Sequence, residues 1–276
     1  MTLINPNKIN WFPGHMKKAT DEIKKQLKNI DFVIQVLDAR AIKTSSNPDL
    51  QQWFHNKPVI NIVVKKDLAL LDQNPGDNYL VGSLKNKGFR QLIIKKLYLI
   101  FDEQMKKYQQ KGLINPQFTG MVIGLPNIGK SSLINFLLQK NQLKTENRPG
   151  VTKTQAAKTI NTHFKLIDTP GIFIKNITDQ NDAYKLIMIN CIRKEIVDLI
   201  YPLSYIYDYY VAYHPNDLAA FYHLDRSLDF ISFVDHICAR YLFYLPNNEY
   251  DYNRAYNLLY DHFSNQMICK VNYDRS

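Results

Sequence analysis

Apolar residues recur along this chain in two rhythms. Short runs at 32–37, 59–64, 79–81, 120–123 and 164–167 are too brief for helices and rich in β-branched residues. They predict strands buried on both faces. Longer stretches at 89–108 and 132–138 have helical periodicity, and Met16, Ala19, Ile23, Leu27 and Ile30 recur at three- and four-residue steps among lysines. These predict helices with one apolar face. Gly112 to Pro116 marks a connector between a long helix and the next strand. Strands alternating with helices imply an α/β fold built on a doubly wound, mostly parallel sheet. Beyond about residue 180 glycine is almost absent, and Leu186, Ile189, Ile192 and then Ile196, Leu199, Ile200 keep helical spacing. The expected division is an α/β domain over 1–178 and a smaller α-helical domain over 179–276.

Motif order adds chemistry to this outline. Gly124-Leu125-Pro126-Asn127-Ile128-Gly129-Lys130-Ser131 follows an apolar strand and opens a helix, as a phosphate-binding loop requires. Its glycines let successive N–H groups turn inward, and the helix N-terminus adds partial positive charge beneath a phosphate. Lys130 is then expected at the β- and γ-phosphates, and the Ser131 hydroxyl at Mg²⁺, a hard cation that prefers oxygen ligands. Downstream lie two switch-like segments, Arg148-Pro149-Gly150-Val151-Thr152 and Asp168-Thr169-Pro170-Gly171. Thr152 is the candidate to close on Mg²⁺ and the γ-phosphate, Asp168 to hold Mg²⁺ through water, and the Gly171 amide to touch the γ-phosphate.

The base-reading motif, Val64-Lys65-Lys66-Asp67, stands upstream of the phosphate loop rather than after it. Such an order implies a circularly permuted G domain. The Asp67 carboxylate can accept from the ring N–H and exocyclic amine of guanine, a pattern adenine does not offer. Lys65 is expected to lay its stem across the base, and Ser83 to present a backbone amide to the guanine oxygen. With neighbouring Lys66, Leu84, Asn127, Ile128, Gly129 and Ser132, these residues form the expected nucleotide site. Val64 occupies the place usually held by asparagine, which removes one hydrogen bond worth about 1 kcal/mol. Asn127 suits a turn; likeness to related GTPases implies instead a ligand for a potassium ion beside the phosphates.

Together, Trp11-Phe12-Pro13-Gly14-His15-Met16, Asp38-Ala39-Arg40, Asn47-Pro48, the base motif, the phosphate loop and both switch segments resemble, in order, the YlqF/RbgA family, ribosome biogenesis GTPase A. The likeness is scattered beyond Ile172. It implies a GTP-hydrolysing assembly factor, cycling between GTP and GDP, that binds precursors of the large (50S) ribosomal subunit through rRNA and ribosomal proteins. It also implies that His15 takes part in catalysis, since Ile172 stands where Ras-like enzymes keep a water-orienting glutamine. An imidazole suits that task because it titrates near neutrality. A hydrogen-bonded loop histidine or a ribosome contact is the plainer reading of His15.

Charge and composition then narrow the partners. The net charge is +10, but residues 1–171 carry 26 Lys and Arg against 12 Asp and Glu, whereas 172–276 carry 9 against 13. A basic G domain suits RNA, although biased composition alone can produce a lysine excess. Fifteen of the 18 tyrosines fall after residue 180, where both core packing and base stacking are open to them. Cys191, Cys238 and Cys269 are odd in number and widely spaced, against a disulfide framework or zinc site; His214, His223, His236 and His262 show no metal-ligand spacing either. No apolar run is long enough to cross a membrane. The expectation is a cytoplasmic monomer with no membrane or DNA partner. A second reading keeps the GTPase shell as a catalytically weak RNA-binding scaffold, given Val64 and Ile172.

Overall fold

A computed structural model describes residues 26–47, 54, 57–72, 74–139, 157–169, 177 and 179–275. The Trp11–His15 motif, most of the predicted first helix, Thr152 and Gly171 lie outside the described residues, as do Pro48 and Ile172.

Among the described residues six strands form one sheet: β1 (Phe32–Asp38), β2 (Val59–Val64), β3 (Tyr79–Val81), β4 (Phe118–Ile123), β5 (Lys158–Thr159) and β6 (Phe164–Asp168). Their spatial order is β3-β2-β1-β4-β6-β5. Every neighbouring pair is parallel except β5 on β6 at the edge. All residues of β1 are buried, as its near-continuous apolar run requires of a central strand covered on both faces. Chain order runs outward from β1 to β3 on one side; on the other, β4 is followed in space by β6, with β5 at the edge. The sheet therefore reverses its winding between β1 and β4, and the carboxyl ends of those strands flank the crevice where open α/β sheets bind ligands.

Among the described residues four helices accompany the sheet or follow it directly: α1 (Ile42–Ser45), α2 (Lys87–Gln110), α3 (Lys130–Leu138) and, beyond the sheet, α4 (Gln180–Met188). The Asn86 side chain caps α2 by accepting from the Gly88 N–H at 2.9 Å. Phe89, Ile93, Leu97, Phe101 and Met105 recur at four-residue steps and form its buried stripe. Phe101 meets the rings of Phe118 at 4.3 Å and Phe32 at 5.5 Å between centroids. Gly120 is needed beneath this cluster, because a Cβ there would stand 2.3 Å from the Phe32 ring. On the opposite face Ile30, Val33, Phe54, Met121 and Ile123 close a second core.

Two compact units result. One holds the sheet; the other holds residues from Ile177 onward together with Leu68–Leu70. The helical unit comprises α4, α5 (Ile200–Tyr213), α6 (Pro215–Tyr222), α7 (Phe230–Arg240) and α8 (Tyr252–Ser264). Helix α4 stops earlier than the Leu186–Ile192 periodicity predicts, because Asn190 turns to φ 65° just after its C-terminus. Ile196 falls in a 3₁₀ turn, and Leu199 precedes α5. The tyrosines pack: Tyr207 stacks on Phe233 at 4.6 Å and Tyr210 on Phe263 at 5.0 Å, with Tyr207, Tyr209 and Tyr210 buried. Base stacking is closed to those three.

Candidate functional site

The phosphate loop sits where β4 leaves the sheet, beside β1. Gly124 has φ 150°, and a Cβ there would lie 2.8 Å from the Val36 carbonyl oxygen. Only glycine fits so close to backbone. Asn127 follows at φ 56°, in the left-handed region that asparagine tolerates, and Gly129 at φ 117° leads into α3. Backbone conformation alone thus accounts for asparagine at 127. Ile128 is fully buried and anchors the loop from below, while Ser132 is exposed in the first turn of α3.

Lys130 is buried, with Nζ donating to the carbonyls of Leu125 at 2.8 Å and Gly124 at 3.2 Å. Ser131 Oγ donates to Asp168 Oδ2 at 3.2 Å, so the end of β6 meets the start of α3. Among the described residues no donor reaches the other Asp168 oxygen, Oδ1, although it is buried. A buried carboxylate oxygen without a donor is costly. An oxygen-rich pair of this kind fits a hard divalent cation. Next to it, Thr169 closes onto the β4 backbone, its hydroxyl donating to the Val122 carbonyl at 2.6 Å.

The base motif arrives from β2. Asp38 and Val64 are register partners at the ends of β1 and β2. Val64 is 1% exposed, and a Cβ added at Gly129 would stand 3.7 Å from its Cγ2. The upstream motif therefore lies beside the phosphate loop, with an apolar side chain where asparagine would offer a hydrogen bond. Lys65 takes φ 62°, unusual for a lysine. Its Nζ is held by Asp38 Oδ2 at 2.8 Å. Lys66 is exposed and its N–H donates to the Gly82 carbonyl at 3.2 Å, tying the motif to the segment after β3.

Asp67, Ser83 and Lys85 form a small cluster beyond that tie. The Asp67 carboxylate accepts from Lys85 Nζ at 2.6 Å and from the Ser83 hydroxyl. Partial burial pushes the Asp67 pKa up, but the Lys85 and Ser83 hydrogen bonds outweigh it and hold the carboxyl below its ordinary value. Leu84, half-buried, completes the turn. Ser83 meets Asp67 through its side chain, a contact distinct from the backbone role expected of it.

Asp38 and Arg40 complete the arrangement, and residue-by-residue reading gave them no task outside the family resemblance. The Arg40 guanidinium grips Asp38 with two bonds, at 2.9 and 2.8 Å, while the Arg40 N–H adds a third at 3.0 Å. Burial opposes ionisation of Asp38, yet Arg40 and then Lys65 hold its pKa below the usual carboxylate range. An acid and a base two residues apart where an apolar strand ends were the available signal.

Residues 119–212 match the family described as 50S ribosome-binding GTPase. Over 99% of its length this chain is 38% identical to a probable ribosome biogenesis GTPase A of Mycoplasma pneumoniae, covering 98% of that protein. The ribosome biogenesis GTPase A of Priestia megaterium is 31% identical over 91% of each chain. The chain belongs to the ribosome biogenesis GTPase A family. It is accordingly a guanine-nucleotide-binding, GTP-hydrolysing protein. GDP-bound YlqF superimposes with a TM-score of 0.65 over 92% of this chain and 98% of that one, at 20% identity. GNP-bound YlqF from T. maritima gives 0.64 over 94% and 98%, at 21% identity. The shared fold is the circularly permuted G domain that the motif order predicts.

Proposed function

We propose that this chain is a GTP/GDP switch that binds immature large (50S) ribosomal subunits and acts late in their maturation. The observation that carries the switch is the closeness of Val64 to Gly129, which sets the base motif beside the phosphate loop. The ribosomal partner rests on the relatives, whose names place them in ribosome biogenesis. The basic half, residues 1–171, supplies attraction for rRNA phosphates.

In this reading Asp67 selects guanine, with Lys65 along the base and Lys66, Ser83 and Leu84 around it. Asn127, Ile128, Gly129, Lys130, Ser131 and Ser132 cradle the phosphates, Lys130 exchanging its loop carbonyls for phosphate oxygens. Ser131 and Asp168 would hold Mg²⁺, which would neutralise charge on the transferring phosphoryl group. The open oxygen of Asp168 supports this assignment. Thr152 and Gly171 are assigned the switch contacts, His15 the positioning of water, and Asn127 a potassium ion. These assignments rest on motif position and, for His15 and Asn127, on the family resemblance. Cytoplasmic location and a monomeric state go with the same proposal.

GTP-dependent co-sedimentation with 50S precursors tests the partner directly. Lys130→Ala is expected to abolish tight mant-GDP binding while leaving the far-UV circular dichroism unchanged; retained affinity would remove the phosphate-loop assignment. Turnover measured with and without large subunits, in potassium and in sodium, tests the rest. Binding without stimulated turnover would favour a scaffold over a switch.

A further inference from the structure

In the helical unit, far in sequence from every nucleotide motif, a histidine, a carboxylate and a thiol come together. Among the described residues His214, Asp217 and Cys269 present Nδ1, a carboxylate oxygen and Sγ, all within 4.8 Å of one another. We propose that these three side chains form a zinc-binding site.

Local structure explains how they meet. His214 is the joint between α5 and α6, and Pro215 starts α6, so Asp217 stands one turn along. His214 Nδ1 and Asp217 Oδ2 are 3.5 Å apart. Cys269 comes from the segment after α8, and its thiol hydrogen-bonds the Asp217 carboxylate. That segment is pinned beyond the cysteine: Val271 is fully buried and pairs with Ala69, and the Asn272 N–H donates to Tyr209 Oη at 3.0 Å.

Zinc bonds of about 2.0–2.3 Å at tetrahedral angles place ligand atoms roughly 3.3–3.8 Å apart. The nitrogen–oxygen pair already has that spacing, and the sulfur needs at most about 1 Å of adjustment to join it. The outer contacts also suit a metal. His214 Nε2 lies 3.4 Å from the buried Tyr209 Oη. A proton on Nε2 directed at that oxygen leaves the Nδ1 lone pair facing Asp217 and Cys269, the usual way a neighbouring group orients a histidine ligand. Asp217 is 54% exposed, which leaves an entry route and room for a water as fourth ligand. One soft, one borderline and one hard donor favour zinc over magnesium or calcium. A plain ion pair of protonated His214 with Asp217 accounts for two members of the group. The Cys269 thiol donating to the same carboxylate completes a metal-free arrangement, which would bind no cobalt and so is separated from a zinc site by the titration below.

Bound there, zinc would staple the C-terminal segment to the α5–α6 joint. The test uses untagged full-length protein, stripped with chelator and titrated with cobalt(II), then with zinc against a chromophoric chelator. One equivalent of cobalt should produce the near-ultraviolet thiolate-to-cobalt absorption and tetrahedral visible bands, and zinc should displace it and raise the melting temperature. Cys269→Ser should abolish the absorption, and His214→Gln should weaken zinc binding by more than about 100-fold. Cys238→Ser should change neither. Cobalt bound without a thiolate band would overturn the proposal on the unmutated chain, whatever the variants do. So would zinc affinity unchanged in Cys269→Ser, and so would metal bound only at the Ser131 and Asp168 pair.

Discussion

Lys65 shows how one residue's environment is built from others. A left-handed lysine costs roughly 1–2 kcal/mol, and its position is sustained by the bond from Nζ to Asp38. Asp38 in turn is gripped by Arg40, which is only 2% exposed. Asp38→Asn keeps the shape but removes the negative charge that faces the buried Arg40 guanidinium, so a loss of about 3–5 kcal/mol is expected in urea unfolding. GDP affinity should fall as well, because Lys65 loses its anchor; unchanged affinity would show that Asp38 does not position it. The pH dependence follows from the same contacts. Asp38 has a depressed pKa in the folded chain, so its contribution is complete above the unfolded value of about 3.9 and is lost as pH falls through the lower folded value. Asp38→Asn should therefore flatten the acid limb below about pH 4 in urea midpoints measured across pH, and leave the slope near neutrality unaltered.

Among the elements, α2 carries the clearest dependence of the sheet on a helix. Its buried stripe places Phe101 among Phe32, Phe118 and Phe164. Phe101→Ala should cost about 3–5 kcal/mol, since the rings around it belong to separate strands and cannot all collapse into the space. A loss below about 1 kcal/mol in thermal or urea unfolding would mean that the cluster repacks. The apolar pattern predicted β2 and β3 with their observed bounds and placed α2 within two residues at each end. It overran at α4, because Asn190 entered the left-handed region and ended the helix while the apolar periodicity continued. Hydrophobic spacing reports which side is buried, whereas a helix stops where the backbone turns.

At the scale of the whole molecule, charge divides along the chain with the two units. Residues 1–171 are strongly basic, and the later residues are slightly acidic. If the G domain supplies the RNA contact, affinity for 50S precursors should fall steeply between low and moderate salt, because each neutralised phosphate releases a counterion. Binding measured by sedimentation at several salt concentrations checks this, and a salt-insensitive complex would locate the attraction elsewhere. The chain passes between Asp67 and Leu68 from the sheet-bearing unit into the helical one. There Leu70 donates to the Val271 carbonyl at 2.9 Å. The base motif is thus followed at once by residues held in the helical unit, a connection that composition and periodicity could not reveal.

Sequence by itself determined the nucleotide chemistry of this protein. Glycines at fixed spacing, a lysine and serine opening a helix, and an aspartate after an apolar strand state a requirement local enough to survive without coordinates. Their unusual order was enough to announce the permuted domain. Tertiary structure alone decided which distant side chains share a point in space. The closeness of Val64 to Gly129, the hold of Asp38 on Lys65, and the approach of Cys269 to His214 and Asp217 each bring together residues that no periodicity relates. Motifs encode backbone conformation and donor type within a few residues, whereas contacts across dozens of positions depend on how strands and helices are finally packed.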